Sequence, residues 1–231
     1  ALFELFSRES ITRVRRSLFF PAGTYLVTGT IKVPSFAKIV GEGPDSSTIS
    51  SSMSASATPV IQTADSLQQI DASVGTGGAT SPTDIVIDGM SFVATADNPV
   101  FVVDQANNVA LTNCNITGPL STTPSTIGLT RSCVKLSSSA TYTTDHVTFF
   151  NCVLSGHSVG VIADNDMDSI VFNACSLEKM FKGFKIGEFQ TGSAPSVDGP
   201  RGMKVISSIF DSIYSNAIHV YDGLGFSSAF N

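Results

Sequence analysis

The densest set of groups able to hold a cation or move a proton is Asp164-Asn165-Asp166-Met167-Asp168. Carboxylates at alternating positions suit oxygen ligation of a hard cation such as calcium. They also suit the paired acid–base work that cleaves glycosidic bonds. As a calcium loop the segment departs from the known pattern. Counted from Asp164, position six is Ser169 rather than glycine and position twelve is Cys175 rather than glutamate. The plain alternative is an acidic turn in solvent just before a strand at Ile170 to Phe172. His157, in Ser155-Gly156-His157-Ser158, reads as a polar contact or as a turn residue. His146 and His219 fall on strand positions and read as outward-facing. Glu178 and Glu188 are candidates for an acid pair, whose separation the sequence does not give. Asp164, Asp166, Asp168, His157 and Glu178 are therefore the candidate glycan or ion contacts. No catalytic residue, cofactor site or metal ligand is assigned, and no cofactor is expected. There is no Trp to stack on a sugar ring, which leaves Tyr142, Tyr214 and Tyr221 for that task.

What must position these groups is a repeat. The segments 84–92, 108–116, 146–154, 169–177 and 202–210 share the form x-h-x-h-x-x-C-x-h, where h is apolar; Met90 and Ser208 stand at the Cys position of the first and last. Counted from the first apolar residue, the units start at 85, 109, 147, 170 and 203, steps of 24, 38, 23 and 33. The h-x-h pattern has period 2 and predicts a short strand with one buried face. Position five reads Gly89, Asn113, Asn151, Ala174 and Ser207. Gly and Asn tolerate a left-handed backbone, so a sharp bend is expected there. Further strands are expected at 100–103, 133–136, 159–162, 184–186 and 218–220. Short strands recurring about every 23 residues define a parallel β-solenoid with coils stacked roughly 4.8 Å apart.

The cysteines test that register. Cys114, Cys152 and Cys175 share one repeat position and should stack inside the core, while Cys133 belongs to the second strand set. In-register side chains point the same way, which suits disulfide geometry poorly. Buried free thiols are the expectation. No C-x-x-C pattern suggests a metal site.

Composition agrees with a β-rich solenoid. Charged residues are 14% of 231 and mean hydropathy is +0.23, which argues against disorder. The net charge of −6 argues against nucleic acid as the main partner. No run of 18 apolar residues is present, so no membrane insertion is expected. Residues 1–17 read as an amphipathic helix capping the first coil, and 18–231 as the solenoid. Arg13, Arg15 and Arg16 read as a solvated face of that helix. Loops rich in Ser, Thr, Pro and Gly are inserted near 50–83, 117–130, 137–144 and 188–200. In a solenoid, insertions gather on loops, often on a binding face.

Residues 18–34 (LFFPAGTYLVTGTIKVP), followed by Ala37-Lys38-Ile39-Val40-Gly41-Glu42-Gly43-Pro44 and Ser47-Thr48-Ile49, resemble the opening coils of the pectate-lyase-like right-handed β-helix superfamily. Pro21 and Gly23 turn the chain, and Gly41 and Gly43 allow a turn that a side chain would block. The resemblance implies an all-β, right-handed, single-stranded parallel β-helix. Similar segments occur in bacteriophage tail spikes and fibres and in secreted polysaccharide-degrading enzymes. The enzyme motifs do not carry over. Gly156-His157-Ser158 precedes the acidic residues and lacks the second Gly of a polygalacturonase-like Gly-His-Gly. Arg131 and Arg201, the arginines beyond the first coils, lack a pectate-lyase setting. The expectation is a structural and recognition module of a virion appendage (tail spike, fibre, neck or baseplate). It would be extracellular on the virion, a homotrimer among other virion proteins, and in contact with host-surface polysaccharide. A lyase or glycoside hydrolase on the same fold is the alternative.

Overall fold

The computed structural model describes residues 16–64, 81–120, 131–138, 143–164, 167–187, 200–220 and 227–229. They form a right-handed parallel β-helix of three sheets, with no helix among the described residues. Every pairing between strands is parallel and in register.

Each coil visits the sheets in the same order. Sheet A has eight strands: Arg16–Phe20, Ala37–Gly41, Thr83–Asp88, Asn107–Thr112, Thr144–Phe150, Met167–Asn173, Lys204–Ile206 and Ser227–Ala229. Sheet B has seven: Gly23–Val27, Ser47–Ser51, Ser91–Ala94, Asn115–Thr117, Val153–Ser155, Ser176–Met180 and Ile209–Ile213. Sheet C has seven: Ile31–Val33, Ile61–Thr63, Phe101–Asp104, Ser132–Ser137, Val159–Ala163, Lys182–Ile186 and Ile218–Val220. The repeat unit is thus one strand of sheet A, a corner, and the start of a strand of sheet B. The first strand begins at Arg16, inside the segment read as a capping helix, because Arg16 and Ser17 pair with Ala37 and Lys38. The rest of that segment lies outside the described residues, as do most of the expected insertions. Ser50, Ser51, Ser137 and Thr144, read as insertion, are strand residues.

Alternation along each strand sends every second side chain inward. In sheet A the inward column is Leu18, Ile39, Ile87, Leu111, Phe149, Phe172 and Val205. In sheet B it is Tyr25, Ile49, Phe92, Ile116, Leu154, Leu177 and Phe210. In sheet C it is Ile31, Ile61, Phe101, Val134, Val161, Phe184 and Ile218. Phe149 and Phe172 stack face to face at 4.4 Å, and Phe184 meets Phe172 edge-on at 5.0 Å.

The corner between sheets A and B is where the sequence repeat is strictest. Gly89, Asn113, Asn151, Ala174 and Ser207 all have positive φ, between 48° and 66°. The expected bend is therefore left-handed at all five. Two of the five, Ala174 and Ser207, are neither glycine nor asparagine, and the stack holds them there. Each corner N–H donates to the coil above: Asn113 N to Phe150 O, Asn151 N to Asn173 O and Ala174 N to Ile206 O, all at 3.0 Å. Side chains add a second ladder, with Asn151 Nδ2 donating to Asn113 Oδ1 (2.7 Å) and Asn113 Nδ2 to Asp88 Oδ1 (3.1 Å).

The next residue in each corner turns inward. Cys114, Cys152 and Cys175 lie one over another, linked by Val153 N to Cys114 O and Ser176 N to Cys152 O, both 2.9 Å. Each thiol is near a carbonyl of the coil before it: Ile87 O at 3.8 Å, Leu111 O at 3.6 Å and Phe149 O at 3.5 Å. All four cysteines are free and buried. Cys133 is pushed up to about 12 by burial. Cys152 is pushed up to about 12, chiefly by its thiol neighbour Cys114. Thiolate is the reactive form. We therefore expect an aromatic disulfide reagent at pH 8 to titrate none of the four thiols within minutes in the native protein. All four should react once the chain is unfolded in denaturant.

Candidate functional site

Corners A to B from Gly89 onward are two residues long. The excursions of six residues or more join sheet B to sheet C or sheet C to sheet A. The outer face of sheet C is therefore the one bordered by insertions along both edges, and it is the candidate site.

The side chains that point away from the core form a column in register, Lys32, Gln62, Val102, Lys135, Ile162, Lys185 and His219, in which Val102 and Ile162 are buried and the lysines partly exposed. Asp104 pairs with Ser137 in the adjoining outward column, and Asp164 follows Ala163 one coil further on. Strands about 4.8 Å apart place Lys135 and Lys185 roughly 10 Å from each other along the axis. The polar groups satisfy one another between coils. Lys32 Nζ donates to Gln62 Oε1, and Gln62 Nε2 donates to Asp104 Oδ2 at 3.1 Å. Burial lowers the Lys32 ammonium below its ordinary value, and Asp104 opposes that shift. Lys185 Nζ lies 3.6 Å from Asp164 Oδ1. Lys182 Nζ sits 2.9 Å from His219 Nδ1. Desolvation and the Lys182 charge lower the His219 imidazole.

The acidic cluster is divided by the fold. Asp164 follows the sheet C strand Val159–Ala163, while Asp168 lies in the strand Met167–Asn173 of sheet A. Asp166 lies outside the described residues. The Asp168 carboxylate accepts from Ser169 N at 2.6 Å, and Asp168 N donates to Asp145 Oδ1 at 3.1 Å. Asp168 therefore serves the left-handed bend at Ser169 (φ 56°). Among the described residues no three His, Cys, Asp or Glu side chains converge on one point.

Glu178 is on the outer face of sheet B, with Ser176 Oγ donating to its Oε1 at 2.7 Å. Ser155 flanks it in register on one side and Asp211 on the other. Glu188 lies outside the described residues. His157 is 1% exposed, at the corner from sheet B to sheet C. His146 is exposed. Tyr214 is an exposed aromatic near the last coil, and Tyr142 and Tyr221 lie outside the described residues.

Asp104, Lys185 and Asp211 were not singled out from sequence. Asp211 could have been. The repeat extends past its ninth position, so that the residues three after Cys152, Cys175 and Ser208 are Ser155, Glu178 and Asp211. Carrying the alignment one residue further would have set the two carboxylates side by side. Lys185 needed the register of the second strand set, which the insertions obscure.

Three stacked parallel sheets define a single-stranded parallel β-helix, and the family comparison says of which kind. Residues 1–176 match the family described as rhamnogalacturonase A/epimerase, pectate lyase-like, and the chain belongs to it. No curated protein matches the chain. Among solved structures it is similar to ORF18 of Geobacillus virus E2, at 16% identity and a TM-score of 0.60, over 83% of this chain and 34% of that one. It is also similar to the catalytic domain of a GH87 α-1,3-glucanase in complex with nigerose, at 15% identity and a TM-score of 0.61, over 92% and 34%. PfbA, a surface adhesin of Streptococcus pneumoniae, matches at 11% identity and a TM-score of 0.50, over 98% and 75%. At these identities the likeness is one of fold. The chain spans about a third of the length of the first two.

Proposed function

We propose that this chain is the β-helical recognition module of a bacteriophage virion appendage, such as a tail spike or fibre. It contacts host-surface glycan through the outer face of sheet C, and it works as a homotrimer among other virion proteins. The observation that carries the reading is the way charge is arranged on that face. Asp104 is held by Gln62, and Asp164 faces Lys185. A fixed array of paired donors and acceptors suits hydrogen bonding to sugar hydroxyls and carboxylates. Acid–base chemistry needs two carboxylates across one bond. The fold shared with the Geobacillus virus protein supports the virion setting.

Incubation with capsular or envelope polysaccharide tests this. The expected result is saturable binding with no new reducing ends and no absorbance from unsaturated sugars. Lys135→Ala and Lys185→Ala should each weaken binding about tenfold, the scale of one hydrogen bond to a charged group. Binding that ignores both substitutions would sink the assignment to sheet C.

The second reading, a depolymerase, is favoured by one observation: Glu178 and Asp211 are neighbours on adjacent strands of sheet B. Turnover abolished by Glu178→Gln or Asp211→Asn, with binding retained, would establish it.

A further inference from the structure

His157 makes a contact that the coil stack does not require. Its Nε2 lies 2.7 Å from the backbone oxygen of Asn98. Asn98 precedes the sheet C strand Phe101–Asp104, and His157 precedes Val159–Ala163; the strand Ser132–Ser137 belongs to the coil between them. The imidazole therefore ties two coils that are not neighbours. It reaches across where the intermediate coil departs after Gly118. His157 N donates to Pro119 O at 3.1 Å, and a Cβ on Gly118 would fall 2.0 Å from the ring. The tie continues downward. Asn98 Nδ2 donates to Ser54 O (3.0 Å), Ser56 Oγ (3.0 Å) and Thr58 O (3.1 Å) of the coil below.

We propose that His157 is an acid-sensitive pin, which holds this corner while its imidazole is neutral and releases it when the ring takes up a second proton. A carbonyl can only accept, so the ring is the Nε2–H tautomer and its open nitrogen is Nδ1. The charged groups facing it are Asp97 and Arg131. Asp97 Oδ1 lies 3.7 Å from Nδ1, on a residue 52% exposed. Arg131 Nε donates to Asp97 O at 3.1 Å and lies 3.8 Å from Asp97 Oδ2. The Asp97 carboxylate is thus shared with a guanidinium and open to water. It compensates poorly for a cation in a site 1% exposed. A protonated ring is better hydrated outside its place over Gly118.

Burial, the largest cause, lowers His157 below its ordinary 6.5, and Arg131 acts in the same direction against Asn98 O and Asp97. The unfolded chain then binds the proton first. Stability is full above about 6.5 and falls as pH drops from there toward the folded value.

The test compares wild type with His157→Gln, which keeps a side-chain donor and cannot charge. Between pH 7.5 and 5.5 the wild-type Tm should fall by ~3 °C or more beyond the fall in the variant. Parallel curves would overturn the proposal. A second readout needs no variant to fold. The chain has three histidines, and the imidazole nitrogens of His157 in the wild type should keep the neutral Nε2–H signature at pH 6.5. Titration of that ring at or above 6.5 would also overturn it.

Discussion

Phe172→Ala should cost about 3–5 kcal/mol of stability, the range for a large aromatic removed from a packed core. Phe172 is fully buried and is the ring shared by two contacts. It stacks on Phe149 at 4.4 Å with an interplanar angle of 1°, and it receives the edge of Phe184 at 5.0 Å. Truncation removes both contacts, each of a kind that adds about 0.5–1.5 kcal/mol beyond area burial. It also opens a void between coils that in-register strands cannot close by shifting. Phe149→Ala loses the stack alone, so it should fall lower in the same range. Urea unfolding checks both. A shift in midpoint with an unchanged slope is the expected form, and a loss under 1.5 kcal/mol for Phe172 would mean the column relaxes.

Gly41→Ala should cost on the order of 3 kcal/mol, at the upper end for forced overpacking. The obstacle is space. A Cβ at Gly41 would lie 2.3 Å from the Gly89 carbonyl oxygen, 2.6 Å from Met90 Sδ and 2.8 Å from Ser47 Cβ. That oxygen also accepts from Gly43 N at 3.1 Å, so moving it would disturb a second coil. Gly29→Ala is the control, since nothing lies within 4 Å of its Cβ position. It should stay within about 0.5 kcal/mol of the parent. Equal melting temperatures for the two variants would show that the close approach of Gly41 to Gly89 is not what constrains the first turn.

Much of this stack was legible in the chain because its physics repeats. The h-x-h alternation, the bend at Gly89, Asn113 and Asn151, and the shared position of three cysteines each state one corner of one coil. Their agreement sets the register. Ala174 and Ser207 show the limit of reading residue types. Neither prefers a left-handed backbone, yet both adopt it, at φ 54° and 48°, because hydrogen bonds from the coils on either side fix the corner. A second left-handed column was not foreseen at all. Phe36, Asp84, Asn108, His146, Ser169 and Gly202 occupy it, and no shared side-chain type marks the position. His146 was read correctly as outward-facing, but not as a bend.

The candidate site was less legible for a different reason. Asp164 and Asp168 are four residues apart in sequence, and the chain turns between sheets in that interval, so local spacing misled. Glu178 and Asp211 are 33 residues apart and adjacent in space. In a solenoid, chemistry is assembled between coils. Proximity along the chain is a poor guide to it until the register is counted through the insertions.

The two-residue corner between sheets A and B has one last implication, for how foreign sequence would be tolerated. A peptide tag spliced at Asn113 or Asn151 would shift every later partner on two sheets at once, and the protein should fail to accumulate. The same tag placed after Leu120, an exposed residue beyond the contact of His157 with Pro119, leaves those pairings in register and should be carried at little cost. The molecule thus has a spine that admits no added length and an open margin that does.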